Sequence, residues 1–287
     1  MGSSRRHGRG TSASPPTSAL WASSPRPRTP PSVYKEGGGV AYLLLYVDDF
    51  VLTASSTDLL RRITDRLHSE FAMTDLGDLH HFLGISVTRS PNGLFLSQRQ
   101  YVVDLLQHVG MAECHSTATP VDTRAKLSAT DSAPIEDATQ YRSLVGALQY
   151  LTLTRPDIAY AVQQVCLFMD DPREPHLAML KRILRYVKGT LSTSLHIGTG
   201  PVDSLTTYSD EDWAGCPDSQ RSTSGYCVFL GDNLVFWSSK RQTTGLSTVL
   251  WHMPWLRHVG FVSFSRSFMR PSLRQRSSTV TMSVPCT

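Results

Sequence analysis

The sequence predicts an α+β protein, with helices and antiparallel strands in separate stretches of the chain, on three observations. Residues 42–54 read YLLLYVDDFVLTA, two apolar runs that flank a pair of acidic residues. Several stretches between residues 57 and 189 carry apolar residues at spacings of three and four, which is typical of amphipathic helices. From Leu205 onward, short apolar stretches separated by turn residues are typical of a small antiparallel sheet.

The first stretch predicts a tight hairpin with Asp48 and Asp49 at its bend, because each apolar run has the length of a buried strand. Carboxylates at a strand end cost free energy unless something compensates for their charge. For two neighbouring acids a divalent cation is the usual compensator, since oxygen ligands suit Mg²⁺. The alternative is a solvated Asp-Asp turn, which is the more common role of an arbitrary pair.

A helix follows the hairpin. Residues 55–58 fit a helix-capping pattern, and the next apolar residues are spaced to lie on one helical face. These are Leu60, Ile63, Leu67 and Phe71. A strand at residues 81–88 and a returning strand at 94–96 are separated by the turn residues Pro91-Asn92-Gly93. A second helix runs from Ser97 to Gly110.

The middle of the chain is predicted to be helical after a polar connection at residues 115–137. The sequence predicts helices over residues 139–153, from Pro156 to about Asp170, and from Pro175 to Gly189, because proline favours the first turn and glycine the end. The third helix carries four cations within eight residues, namely Lys181, Arg182, Arg185 and Lys188. They form either a solvated polar face or a face that contacts phosphates.

Both ends of the chain differ from its body in charge and pattern. Residues 1–39 and 250–287 each carry a net charge of +5, so the overall charge of +4 leaves −6 for residues 40–249. Residues 1–39 are rich in Ser, Pro, Gly and Arg and are expected to be disordered. After Asp232 the chain contains no acidic residue, and beyond Val249 it has no apolar period.

The composition also bears on the redox environment and the cellular location expected of the protein. Five scattered cysteines form no CxxC pair, so the sequence predicts neither a disulfide framework nor a zinc site. No apolar run approaches the length of a transmembrane helix, and the N-terminus lacks the apolar core of a signal peptide. An intracellular location, cytoplasmic or nuclear, without a membrane partner is therefore expected.

Several blocks in this order resemble the reverse transcriptase of copia-type LTR retrotransposons. They are YVDD at residues 46–49, DLGDLHHFLGISV, GLFLSQRQYVVDLLQHVGM, TATP, YRSLVGALQYLTLTRPDIAYAV and HLAMLKRILRYVKGT. Residues 208–242 look like the start of the RNase H domain that follows in the same polyproteins. The resemblance covers about residues 40–246. It implies a truncated palm and thumb at 40–120, a helical connection at 121–200 and a partial RNase H-like sheet at 201–246.

The resemblance implies phosphoryl transfer at a two-metal Mg²⁺ site, with an RNA template and a DNA primer as partners and no small-molecule cofactor. Asp48 matches the metal ligand of the YVDD motif, and Asp49 lies beside it. Tyr46 and Val47 would form the floor under the primer terminus. Asp210 matches the first metal-binding carboxylate of RNase H. The oligomeric state is not predicted.

Parts that the family requires are missing from these residues. Before Asp48 the chain's only acidic residue is Glu36, which is too close to bridge two metals from a separate strand, and the pattern of the fingers subdomain is absent. The Glu and Asp expected after the SSKRQ block are absent too. The expectation is a frameshifted tail at 247–287, weak or absent Mg²⁺ binding, and no polymerase activity from this chain alone.

Two other functional classes compete with an enzyme-derived fragment. A non-catalytic nucleic-acid-binding remnant would use the four cations and the Arg-rich ends, and its affinity would fall steeply with salt. An unrelated metal-dependent transferase would use Asp210-Glu211-Asp212 as a DxD motif. The long ordered run of family blocks makes this second class the weaker one.

Overall fold

The computed structural model describes residues 2–5, 32–36, 38–46, 49–71, 73–122, 127–129, 132–212, 215–242 and 278–283. In this part of the chain, five α-helices accompany strands that pair antiparallel, which confirms the predicted α+β class. The chain divides into two compact units, residues 1–87 and residues 88–287. None of the described helices is both long and apolar enough to span a bilayer.

The first unit contains the predicted hairpin. Its elements in chain order are β1 (Gly2–Arg5), β2 (Ser32–Glu36), β3 (Gly39–Tyr46), β4 (Asp49–Ala54), α1 (Thr57–Glu70), β5 (Thr74–Asp75) and β6 (His81–Phe82). The sheet order is β2-β3-β4-β1-β5. β7 (Ile85–Ser90) spans the boundary between the units, and β6 pairs with its first residues.

Helix α1 packs on one face of the hairpin. The Ser56 hydroxyl caps its N-terminus by accepting a hydrogen bond from the Leu59 N–H at 3.3 Å. Leu59 is buried with Ala41 and Leu52, and the half-buried Ile63 packs against this cluster. The sequence also predicts Phe71 on the inward face, and this is wrong: Phe71 follows the last residue of α1 in extended backbone and is 53% exposed.

The segment 1–39 differs from the disorder expected of it, because β1 and β2 lie within it. Val33 of β2 is opposite Tyr42 of β3, and Ser3 of β1 is opposite Val51 of β4. Backbone pairing with an apolar hairpin supplies hydrogen bonds that composition alone does not predict. Apart from Gly38 and Gly39, the other residues of this segment lie outside the described residues.

The second unit holds the larger core. Its elements are β8 (Gly93–Ser97), α2 (Arg99–His108), α3 (Ala138–Leu151), α4 (Ala159–Cys166), α5 (Glu174–Gly189), β9 (Leu195–Gly198), β10 (Ser204–Asp212), β11 (Thr223–Leu230), β12 (Asn233–Arg241) and β13 (Ser278–Ser283). The largest fully buried aliphatic side chains come from the helices. They include Leu105, Leu148, Leu151, Leu180, Ile183 and Leu184.

The four predicted helices of this unit are present, and the third of them is clearly shorter than predicted. A 3-10 turn at Pro156–Ile158 leads into α4, which ends at Cys166 rather than near Asp170. The chain turns away after Cys166, and the Arg142 guanidinium binds the carbonyls of Met169 and Asp170 at 2.8 and 3.2 Å. These carbonyls are therefore satisfied by a side chain instead of by continued helix.

The sheet of the second unit has the strand order β12-β11-β10-β13. The short apolar stretches at 205–208, 225–230 and 234–237, which the sequence predicts to be strands, lie within β10, β11 and β12. The turn between β11 and β12 falls at Gly231 and Asp232. β13 lies within the tail at 247–287 that the sequence places outside the family, and it pairs with β10 over Ser204–Ser209. A separate pairing joins β8 and β9.

Candidate nucleic-acid and metal site

The YVDD segment closes the β3–β4 hairpin. Tyr46, the last residue of β3, is opposite Asp49, the first residue of β4, and Leu45 is opposite Phe50. The strands are separated in sequence by Val47 and Asp48, which lie outside the described residues. A separation of two residues agrees with the tight hairpin that the two apolar runs predict.

The two faces of this hairpin differ. Side chains alternate along a strand, so Phe50, Leu52 and Ala54 face α1 together with Ala41 and Leu43. Asp49 and Tyr46 belong to the opposite face, away from α1, and both are half-buried. The sequence thus positions one carboxylate and one aromatic side chain side by side at the end of the hairpin.

The structure describes one of the two YVDD carboxylates: Asp49 is within the described part, whereas Asp48 is outside it. Among the residues that the structure describes, no group of three His, Cys, Asp or Glu side chains is arranged to hold a metal ion. A magnesium site built from carboxylates needs several oxygen ligands at once.

Asp210 lies in β10 opposite Gly225 of β11. Burial raises the pKa of Asp210 above its ordinary value, and the charges of Asp212 and Glu211 add to the rise against a backbone hydrogen bond from Glu211. The neighbouring acids have other contacts: the Tyr160 hydroxyl is 3.5 Å from Asp212 Oδ2, and Gln242 donates to Glu211 at 3.0 Å. Asp210 is therefore a partly desolvated carboxylate.

Two of the four cations on α5 bind a neighbouring segment of the same chain. This segment, residues 114–122, is called the strap below. Lys188 Nζ donates to the Cys114 carbonyl at 2.7 Å. Arg182 donates to the Thr119 hydroxyl at 2.8 Å and to the Thr119 carbonyl at 3.2 Å. Both side chains therefore have a structural role, whatever else they contact.

The other two cations on α5 differ in exposure. Lys181 is exposed to solvent, and Arg185 is half-buried with a buried Nε that has no hydrogen-bond partner among the described residues. The strap passes close to the end of this helix, since a Cβ at Gly189 would lie 2.9 Å from the Ser116 Cβ. Of the predicted basic face, Lys181 and Arg185 are the members without a hydrogen bond to the strap among the described contacts.

A buried histidine that the sequence does not single out connects three segments. His176 is 0% exposed and stacks on Phe168 with ring centroids 3.8 Å apart. Its Nδ1 accepts from the Arg173 N–H at 2.9 Å, and its Nε2 is 3.0 Å from the Ser128 carbonyl, to which it donates. Ser128 in turn donates from its hydroxyl to Asp218 at 2.7 Å.

This Ser, His and Asp arrangement is not a nucleophilic triad. The imidazole contacts the backbone carbonyl of Ser128, whereas a triad requires the imidazole to accept from the serine hydroxyl. Burial lowers the pKa of His176, assisted by the charge of Arg173 and opposed by the Ser128 carbonyl and by Asp171 and Asp218. The neutral imidazole therefore serves as a structural link between α5 and residues 127–129.

A second buried polar group surrounds Arg155, which is 2% exposed. Its guanidinium binds both Asp157 carboxylate oxygens at 2.8 and 2.7 Å and also binds Thr190. The Tyr186 hydroxyl donates to Asp157 at 2.9 Å. Burial would raise the pKa of Asp157, but the hydrogen bonds and charge of Arg155 outweigh it and lower the pKa. The tripeptide Arg155-Pro156-Asp157 is a sequence signal for the ion pair between Arg155 and Asp157. No local sequence pattern indicates that Tyr186 and Thr190 join it.

With this geometry described, comparison with known proteins defines the class. Residues 29–123 match the family described as reverse transcriptase (RNA-dependent DNA polymerase). The match contains the YVDD hairpin, α1 and α2, and it begins inside the segment 1–39. The family resemblance therefore starts earlier than residue 40.

The relatives agree with this class. An uncharacterized mitochondrial protein of Arabidopsis thaliana is 49% identical over 203 residues, which is 71% of this chain and 84% of that protein. The retrovirus-related Pol polyprotein from transposon RE1 of the same plant is 45% identical over 210 residues, or 73% of this chain. One from transposon TNT 1-94 of Nicotiana tabacum is 34% identical over 209 residues, or 70% of this chain. The chain belongs to the reverse-transcriptase family of retrotransposon Pol polyproteins.

The extent of the similarity differs between these relatives. The chain spans 14% of the RE1 polyprotein and 16% of the TNT 1-94 polyprotein, so it corresponds to a small part of each. No solved structure matches the chain.

Proposed function

We propose that this chain is the part of a copia-type reverse transcriptase that carries the YVDD hairpin, followed by a helical connection and the first strands of an RNase H-like domain. The observation that carries the proposal is the hairpin itself. It pairs Tyr46 with Asp49 on the face away from α1, and it lies within the family match. A resemblance to four letters alone would be a weak signal.

In this proposal Asp48 and Asp49 are the carboxylates that the hairpin contributes to Mg²⁺ binding, and Tyr46 and Val47 lie under the primer terminus. The partners are an RNA template and a DNA primer. Asp210 is the corresponding carboxylate of the RNase H-like sheet, which is supported by its place near the end of β10 and by the burial that raises its pKa. A cation would favour the charged form of such a carboxylate.

We further propose that this 287-residue chain does not polymerise DNA by itself. The support comes from the sequence: within these 287 residues Glu36 is the only acidic residue before Asp48, and it lies twelve positions away. In-line displacement requires that the attacking and the leaving oxygen are held in a fixed geometry. Two adjacent carboxylates alone do not provide that geometry.

Primer extension on a poly(rA) template with Mg²⁺ or Mn²⁺ tests this proposal. The expected result is no incorporation above that of the Asp48→Asn variant. Clear incorporation that Asp48→Asn abolishes would refute the predicted inactivity and would at the same time assign Asp48 to the active site.

A second candidate function is nucleic-acid binding without catalysis. The observation that favours it is the position of Lys181 and Arg185, which are on the basic face of α5 but, in the described contacts, are not hydrogen-bonded to the strap. Cations that neutralise phosphates release counterions, so log affinity should fall linearly with log salt concentration. A Lys181→Ala/Arg185→Ala variant should reduce that slope by about 1–2 units. An unchanged slope, or no binding at low salt, would eliminate this function.

A further inference from the structure

The β8–β9 ladder has two different faces. Leu94 is opposite Ile197 and Leu96 is opposite Leu195, and these aliphatic pairs share the face that turns inward. Phe95 is opposite His196 on the other face, and both are exposed. The solvent-facing side of this ladder therefore presents an aromatic ring and an imidazole where strand patterning favours small polar residues.

The two exposed rings are stacked on each other. Their centroids are 4.5 Å apart and their planes are inclined by 24°. Phe95 is 37% exposed, so part of the pair's π surface remains in contact with water. A Cβ at Gly198, two residues along the same face, would lie 3.5 Å from His196 Cε1, so a side chain there would contact the imidazole edge.

A cross-strand pair can stabilise a sheet without binding anything, and this is the simpler interpretation. Two features favour a ligand. The pair offers an exposed flat surface, and the imidazole adds a ring nitrogen that can hydrogen-bond. A flat surface with a polar edge complements a nucleobase.

We propose that Phe95 and His196 form a stacking platform for an unpaired base of single-stranded nucleic acid. The proposal rests on the nucleic-acid partners of the proposed function. It adds a contact that depends neither on Mg²⁺ nor on the cations of α5. Stacking tolerates any sequence, because every base has a π face.

The molecule provides a matched control. Tyr226 and Phe236 also stack across neighbouring strands, β11 and β12, with centroids 5.7 Å apart and planes inclined by 24°. Phe236 is 51% exposed, more than Phe95. This pair lacks an imidazole, so Phe236→Ala removes a comparable area of exposed ring without touching the proposed platform.

The test compares the full chain's affinity for two fluorescein-labelled single strands, each about ten nucleotides long. One is oligothymidylate, and the other is an abasic strand of the same length and charge. Fluorescence anisotropy should show that the wild-type chain binds the strand with bases about tenfold more tightly than the abasic one. Phe95→Ala and Phe95→Leu should each reduce this ratio to near one, whereas Phe236→Ala should leave it unchanged.

The outcomes separate the platform from the proposed function. Equal wild-type affinities for both strands would overturn the platform while nucleic-acid binding stands. Loss of affinity for both strands in Phe95→Leu, which keeps an apolar side chain against His196, would also overturn it by assigning Phe95 to the fold. An equal effect of Phe236→Ala would do the same. Binding of neither strand by the wild type would refute the nucleic-acid-binding function as well.

Discussion

The hairpin of the first unit and the helices of the second unit differ in how their polar residues are held. In the hairpin, the buried cluster beneath β3 and β4 contains three residues, Ala41, Leu52 and Leu59, and the side chains of Tyr46 and Asp49 lie on the face away from it. In the helices, Arg155 and His176 are buried with hydrogen-bond partners on more than one segment. The motif thus lies next to a small buried cluster. In the unit with the larger core, buried polar residues have a structural role.

The largest expected effect is the loss of unfolding free energy when a core leucine is replaced, and it should differ between the two units. Leu148→Ala removes a fully buried side chain of α3 and should lower the free energy of unfolding of the second unit by about 3 kcal/mol, since a dense helical core leaves a cavity. Leu52→Ala should cost the first unit about 2 kcal/mol, because a smaller core collapses more readily. Hydrogen exchange of peptides from α3 and β4 measures the two effects separately.

Leu153→Ala is the control for Leu148→Ala, since Leu153 lies just beyond the end of α3 and is 48% exposed. Its effect should stay within about 0.5 kcal/mol. A larger loss at Leu52 than at Leu148 would contradict the contrast between the two cores.

Sequence pattern predicts the local parts of this architecture well. Apolar runs of strand length predict the hairpin, and proline and glycine indicate where α5 begins and ends, because these signals act over a few residues. The partners of Arg182 and Lys188 lie 63 and 74 residues away, and the carbonyl that binds His176 lies 48 residues away. Periodicity shows which residues turn inward but not which carbonyl lies opposite them.

The second expected effect is a pH dependence that belongs to the second unit. Because burial lowers the pKa of His176, folding favours its neutral form, so the stabilisation is fully present above the unfolded value of about 6.5. It is lost as the pH falls from there towards the folded pKa. Protonation at Nδ1 would also remove the hydrogen bond from the Arg173 N–H, because a protonated Nδ1 cannot accept it.

His176→Gln should flatten this dependence between about pH 7 and pH 5. The measurement is the urea midpoint of the second unit at several pH values, with His196→Gln as the exposed control. An unchanged slope in His176→Gln would show that this histidine does not titrate with unfolding.

A smaller effect distinguishes the cations of α5 from each other. Lys188→Met removes the hydrogen bond to the Cys114 carbonyl and should cost about 1 kcal/mol, whereas Lys181→Met should be near neutral for stability. Nucleic-acid affinity at low salt should respond to Lys181→Met more directly, because Lys181 is exposed. Equal stability losses in both variants would contradict the structural role given to Lys188.

Metal binding by the intact chain tests most directly whether the hairpin contributes only part of a metal site. Electron paramagnetic resonance measures the concentration of free Mn²⁺ as the protein is added to the metal solution. The account predicts weak binding, with a dissociation constant on the order of 1 mM, that weakens further in an Asp48→Asn/Asp49→Asn variant. One equivalent of micromolar Mn²⁺ binding that Asp48→Asn abolishes would contradict it, because such affinity requires a complete set of carboxylates.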